Sequence, residues 1–87
     1  MVSKKSALNL TSREISAPFQ EGIYAEKFPP ILTINQAAEL LQIPVGTIRD
    51  WRSRGLLDDC SAKAGKHIRF HRDRLFKLIF NDGLRAD

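Results

Sequence analysis

Pro44 divides the most regularly patterned part of this chain, residues 31–57 (ILTINQAAELLQIPVGTIRDWRSRGLL), so that no single helix can cover it. Inside a helix a proline lacks the amide that should bond four residues back, and its ring clashes with the preceding turn. Two short helices are therefore predicted. Thr33 and Gln36 have capping-box spacing, a hydroxyl to accept an amide of the first turn and a side chain three residues on to return the bond. Ala37, Leu40 and Leu41 then recur at i, i+3 and i+4, one apolar helical face. After Ile43, proline can sit in the first turn of the next helix, where its missing N–H would have no partner anyway. That second helix is predicted over residues 45–54, with Ile48 and Trp51 inward and Arg49, Arg52 and Arg54 outward. Gly55 falls where a left-handed cap ends a helix, and Leu56-Leu57 returns the chain to the core. Two helices this short bury little alone. The pair reads as a helix-turn-helix whose second helix carries the arginines.

Beyond Leu57 the period changes. Ala64-Gly65-Lys66 is a flexible turn, and His67-Ile68-Arg69-Phe70-His71 alternates polar with apolar. Side chains of a strand alternate between faces, so Ile68 and Phe70 are expected toward the core and His67, Arg69 and His71 away from it. A hairpin tipped by Lys63 and Lys66 has the form of a wing. A last helix is expected over residues 72–81, entered through His71 and stopped at Asn81-Asp82-Gly83. Leu75, Leu78 and Ile79 share one face; Phe76 and Phe80 form a second pair, which is either core or a patch for a neighbouring protomer or partner. The expected class is mainly α with a small β hairpin, a winged helix-turn-helix over residues 31–82.

Residues 1–30 lack a sustained period and end at Pro29-Pro30, the form of a flexible arm with an extended close. Phe19, Ile23, Tyr24 and Phe28 could make an apolar stripe there. It is either a tail, packed on its own domain or disordered, or a segment that docks on another protein, since aromatic anchors typify such contacts. Residues 83–87 read as a short tail. Eighty-seven residues suffice for one domain with a core near the lower size limit. No apolar run approaches the roughly 18 residues of a membrane span, and the N-terminus lacks a secretory pattern. A lone cysteine, Cys60, suits a reducing cytoplasm.

The net charge is +4, but its placement is uneven: residues 49–77 hold nine Lys or Arg against four Asp, a local +5. Positive charge clustered around a helix-turn-helix is the footprint of a surface for nucleic-acid phosphates. A helix-turn-helix lays its second helix in the major groove, which nominates Val45, Gly46, Thr47, Arg49, Asp50, Arg52 and Arg54. Thr47 suits a phosphate near the helix start. Arg49 can reach guanine O6 and N7, or a phosphate. Asp50 either accepts from cytosine or holds Arg54 four residues on, the reading favoured here. Arg52 suits the DNA backbone. Lys63, Lys66, His67 and Arg69 would form the wing's contribution. Cys60, His67 and His71 are the only soft metal ligands and lack the paired spacing of a zinc motif, so no metal or other cofactor is expected. No nucleophile–base–orienter set is visible, and an enzyme is not expected.

The combination TINQAAELL, IPVGTIRDWRSRGLL and IRFHRDRL closely resembles the small winged helix-turn-helix family of phage and mobile-element excisionases, related to the DNA-binding domains of MerR-type regulators. Gln42 stands where that family usually has a turn glycine, and Pro44 where it usually has a capping serine. The resemblance implies a wing lying against the DNA backbone and a protein that binds adjacent direct sites on double-stranded DNA. Such a protein bends the DNA and helps an integrase, a tyrosine or serine recombinase, toward excision. Self-association on DNA is part of that expectation. Two alternatives stay open: a small phage- or MerR-type transcriptional regulator, and an interaction adaptor whose basic face is incidental.

Overall fold

The computed structural model describes residues 8–83. Its sheet has three antiparallel strands in the order β1-β3-β2: β1 (Ile31–Thr33), β2 (Ser61–Ala64) and β3 (His67–His71). The expected hairpin is β2–β3, with Ala64 opposite His67. Its two-residue turn starts at Gly65, whose φ of +63° is what a type II′ hairpin requires at that position. The addition to the expected hairpin is β1. Three residues are too few to show an alternating pattern, and β1 exists because β3 offers it a free edge, pairing Leu32 with Phe70 and Thr33 with Arg69.

The helices α3 (Ile34–Leu41) and α4 (Val45–Ser53) follow β1 and form the helix-turn-helix. Thr33 and Gln36 make both bonds of the capping box, at 3.1 and 2.9 Å. The two helices end alike. Ile43 N–H bonds Ala38 O and Gln42 N–H bonds Glu39 O; at the other end Leu56 N–H bonds Trp51 O and Gly55 N–H bonds Arg52 O. This double closure satisfies carbonyls that the helix leaves orphaned, and it needs one left-handed residue. Gly55 supplies it at α4 with φ +79°; at α3 the residue is Gln42, with φ +59°. Pro44, extended at φ −64° and ψ 148°, then starts α4 without a side-chain cap.

Leu32, Ala37, Ile48, Leu57, Phe70 and Leu75 are fully buried and form the centre of the core. Trp51, expected inward with Ile48, is half-buried against it. The helix α5 (Arg72–Lys77) is capped by His71, whose Nδ1 accepts from Arg74 N–H at 3.3 Å. The regular helix is shorter than expected, because Leu78–Asp82 widens into a π turn that stops at Gly83. Phe80 O and the Asn81 side chain in that turn bond the backbone of Leu8 and Leu10, so the turn is tied to the start of the described chain.

The largest departure concerns the arm. From Leu8 to Pro30 it is ordered against the domain, with α1 (Ser12–Ser16) packed on α5, a 3-10 turn at Ala17–Phe19, and α2 (Ile23–Lys27). The expected stripe splits. Phe19 and Phe28 are buried, which removes them as exposed protein anchors, whereas Ile23 and Tyr24 are 71% and 55% exposed. The reason is that two short elements joined by Gly22 at φ +85° replace one continuous helix. Phe76 and Phe80 are both half-buried, with ring centroids 4.5 Å apart, and Phe76 meets Phe19 edge-on. Arg72, 7% exposed, fixes the arm: its Nη1 donates to Phe28 O at 3.0 Å, and its guanidinium lies 4.2 Å from the Phe19 ring centroid.

Two stability predictions follow from this packing. A left-handed conformation costs a residue with a Cβ roughly 1–2 kcal/mol, more than glycine's extra entropy loss of roughly 0.5–1 kcal/mol. Gln42→Gly should therefore raise stability by about 0.5–1 kcal/mol and Tm by a few degrees, seen in thermal melts; a lower Tm would contradict the strain. Cys60 is buried with its thiol directed at Leu57 O, and burial is the main cause pushing its pKa from 9.0 to about 11. The unfolded chain then loses this proton first. Stability should be untouched below pH 9 and fall toward pH 11 by on the order of 2 kcal/mol, a loss absent from Cys60→Ala in denaturant titrations.

Candidate nucleic-acid interface

The exposed side of α4 follows from its helical period once Ile48 is turned into the core. Gly46, Arg49, Asp50, Ser53 and Arg54 are exposed, and Thr47 is half-buried. Val45 is partly packed against the core, so its side chain offers less to a partner than expected. Arg54 Nη1 donates to Asp50 Oδ2 at 3.1 Å, the i, i+4 pair favoured by the spacing. Asp50 is thereby engaged along its own helix. Both side chains are about half exposed, so the pair contributes little to stability, and its effect is to orient Arg54. Arg49 makes no ion pair with the described residues and projects from the same helix.

Arg52 is different. It is half-buried, and its Nε is fully covered without a hydrogen-bond acceptor among the described residues. A covered donor left unpaired costs roughly 1–3 kcal/mol, and with no surface of Nε open an outside acceptor reaches it only if the side chain turns outward.

At the hairpin, Lys63, Lys66 and His67 are exposed, with Lys66 in the turn itself. Arg69 shares the face of His67, farther from the turn. It lies on the central strand between Thr33 and Ala62, half-buried, and Nη1 donates to Ile68 O at 2.9 Å. It lines a shallow depression with Ile31, His71 and Arg74. Arg74, exposed at the side of α5, is a cation that was not nominated from the sequence; its Nη1 reaches Asp59 O at 3.3 Å. A basic residue three positions after a helix-capping histidine was the available signal. Cys60 is in the core and His67 is exposed near the hairpin end, and the described residues contain no group of three or more metal-ligating side chains. No helix among them is long and apolar enough to cross a membrane.

The chain belongs to the helix-turn-helix domain family, whose model matches residues 31–79. The match begins at β1 and ends within the π turn, so it spans the capping box, both helices, the hairpin and α5. It is a DNA-binding helix-turn-helix protein. Comparison with curated proteins and with solved structures gave no significant match.

If Arg49 reads a base, Arg49→Ala should cost about 1–3 kcal/mol on a selected site and relax preference at one base position. Thr47→Ala should weaken selected and random duplexes alike. Replacing Lys63 and Lys66 by Ala should lower affinity on every sequence and flatten the salt dependence by roughly 0.9 per lost phosphate contact. Anisotropy titrations over a range of salt distinguish these: equal losses for Arg49→Ala on both duplexes remove base reading, and an unchanged slope removes the wing.

Proposed function

We propose that this protein is an excisionase, a recombination directionality factor that binds adjacent DNA sites, bends the duplex and directs an integrase toward excision. The observation that carries the reading is the sequence from Thr33 to Leu57, TINQAAELLQIPVGTIRDWRSRGLL, on a family-matched helix-turn-helix with a lysine-tipped hairpin. Helix α4 enters the major groove, Arg49 meets base edges, and Thr47 with Arg52 meets phosphates. Lys63, Lys66 and His67 follow the backbone beside it. The protein acts in the cytoplasm, on nucleoid DNA, and without catalysis of its own.

One recognition helix reads too few base pairs to define a unique genomic site, so selectivity has to come from several copies on neighbouring sites. Head-to-tail binding of monomers meets that need, and a bend then brings integrase-bound arms together. The test uses duplexes carrying one or two copies of a site selected from random DNA. Sedimentation of the free protein should give a monomer. Gel titration should give cooperative filling of the double site, and end-to-end energy transfer should report bending. Independent filling on straight DNA, or a stable symmetric dimer in free solution, would overturn the proposal in favour of a transcriptional regulator.

A further inference from the structure

A groove of about 430 Å³ runs between the α2 segment and α3, lined by Tyr24, Phe28, Leu40 and Phe76 together with Lys27 and Glu39. The segments that border it are net acidic, opposite to the basic DNA-binding region. All four glutamates of the chain fall within residues 14–39. These segments, residues 17–28 and α3, carry Glu21, Glu26 and Glu39 against the single cation Lys27, and of the four Glu39 and Lys27 line the groove itself. On the α5 side, Lys77 next to Phe76 is paired with Asp82. Phosphates brought to this groove would meet carboxylates and the negative faces of aromatic rings, so nucleic acid is a poor occupant.

The chain's own Lys27 indicates what fits. Its ammonium pairs with Glu39 across the groove and lies 5.8 Å from the Phe28 ring centroid, a cation held between a carboxylate and an aromatic face. Both members of the pair are about half exposed, and a pair of that kind is weakly held and readily exchanged. Beside it, Tyr24 exposes 55% of its surface next to Phe28, at a centroid distance of 6.1 Å.

We infer that this groove docks a segment of another protein in which a large apolar side chain stands beside a lysine or arginine. The apolar side chain enters among Tyr24, Phe28, Leu40 and Phe76, and its basic neighbour takes the place of Lys27 at Glu39. Charge complementarity selects this occupant. The inference is independent of the excision reading, because the groove shares no residue with α4 or the hairpin.

The probe is a fluorescein-labelled peptide of leucine and phenylalanine interspersed with lysines; its control has every lysine replaced by glutamate. The full chain carries +4, so bulk charge favours the control, and preference for the lysine peptide reports the groove. Saturable binding of the lysine peptide is expected by anisotropy. Tyr24→Ser and Glu39→Gln should each weaken it by about threefold, the effect of one exposed cation–π or ionic contact. Lys27→Met should tighten it, because Glu39 is then unpaired. All three positions are exposed, so melting temperature and duplex affinity should stay as in the parent. Absence of saturable binding, equal binding of both peptides, or weaker binding by Lys27→Met would overturn the inference. A dimer of the free protein that Tyr24→Ser abolishes would also overturn it, assigning the groove to a second copy.

Discussion

Arg72 joins the two halves of this molecule. It stands where β3 passes into α5, and from there its backbone N–H bonds Pro30 O at 2.8 Å while its side chain bonds Phe28 O and covers Phe19. Desolvating a guanidinium costs several kcal/mol unless it is well bonded and partnered. Here Asp73 Oδ1 accepts from Nε at 2.9 Å, and the aromatic face adds a further favourable contact. This charged side chain thus ties the end of the arm to the core, as the Leu8 and Leu10 backbone bonds to the π turn tie its start. At the arm's end, Gln36 Nε2 also donates to Lys27 O at 3.2 Å and adds a second tie between the arm and the domain.

The helix-turn-helix packs on the same core, with α3 beside the end of the arm. Its geometry depends on the turn between Leu41 and Val45, where Gln42 takes a conformation that glycine adopts without cost and Pro44 then redirects the chain into α4. The residues at which this chain departs from the usual pattern of the excisionases it resembles are thus the ones that set the turn. The strained position is tolerated because the two backbone bonds that close α3 require a left-handed residue at position 42. Ile48 and Leu57, both fully buried, hold α4 to the core from either side of Trp51, which leaves the arginine face outward.

Charge divides the molecule in the same way. Residues 49–77 are basic, and the segments around the groove are acidic and aromatic. The excision reading draws on the basic stretch and the docking inference on the acidic one.

Much of the helix-turn-helix was readable because its signals are local. The Thr33–Gln36 box, the proline break, the Gly55 cap and the Asp50–Arg54 pair act over three to five residues, where steric and hydrogen-bonding rules leave few choices. One local signal was readable and passed over: Thr11 and Glu14 form a second capping box, which starts α1. The alternation of His67 to His71 likewise placed Phe70 in the core. What the sequence by itself determined was thus the kind of each element and the face that it presents. The tertiary structure decided which elements meet. Strand β1 needs β3 some forty residues away, and Arg72 reads as an exposed cation until the Phe28 carbonyl, 44 positions distant, is brought to it. The same holds for the aromatic stripe, whose Phe19 and Phe28 are buried while Ile23 and Tyr24 are not. Burial is a property of the assembled surface, and no pattern within one short segment contains it.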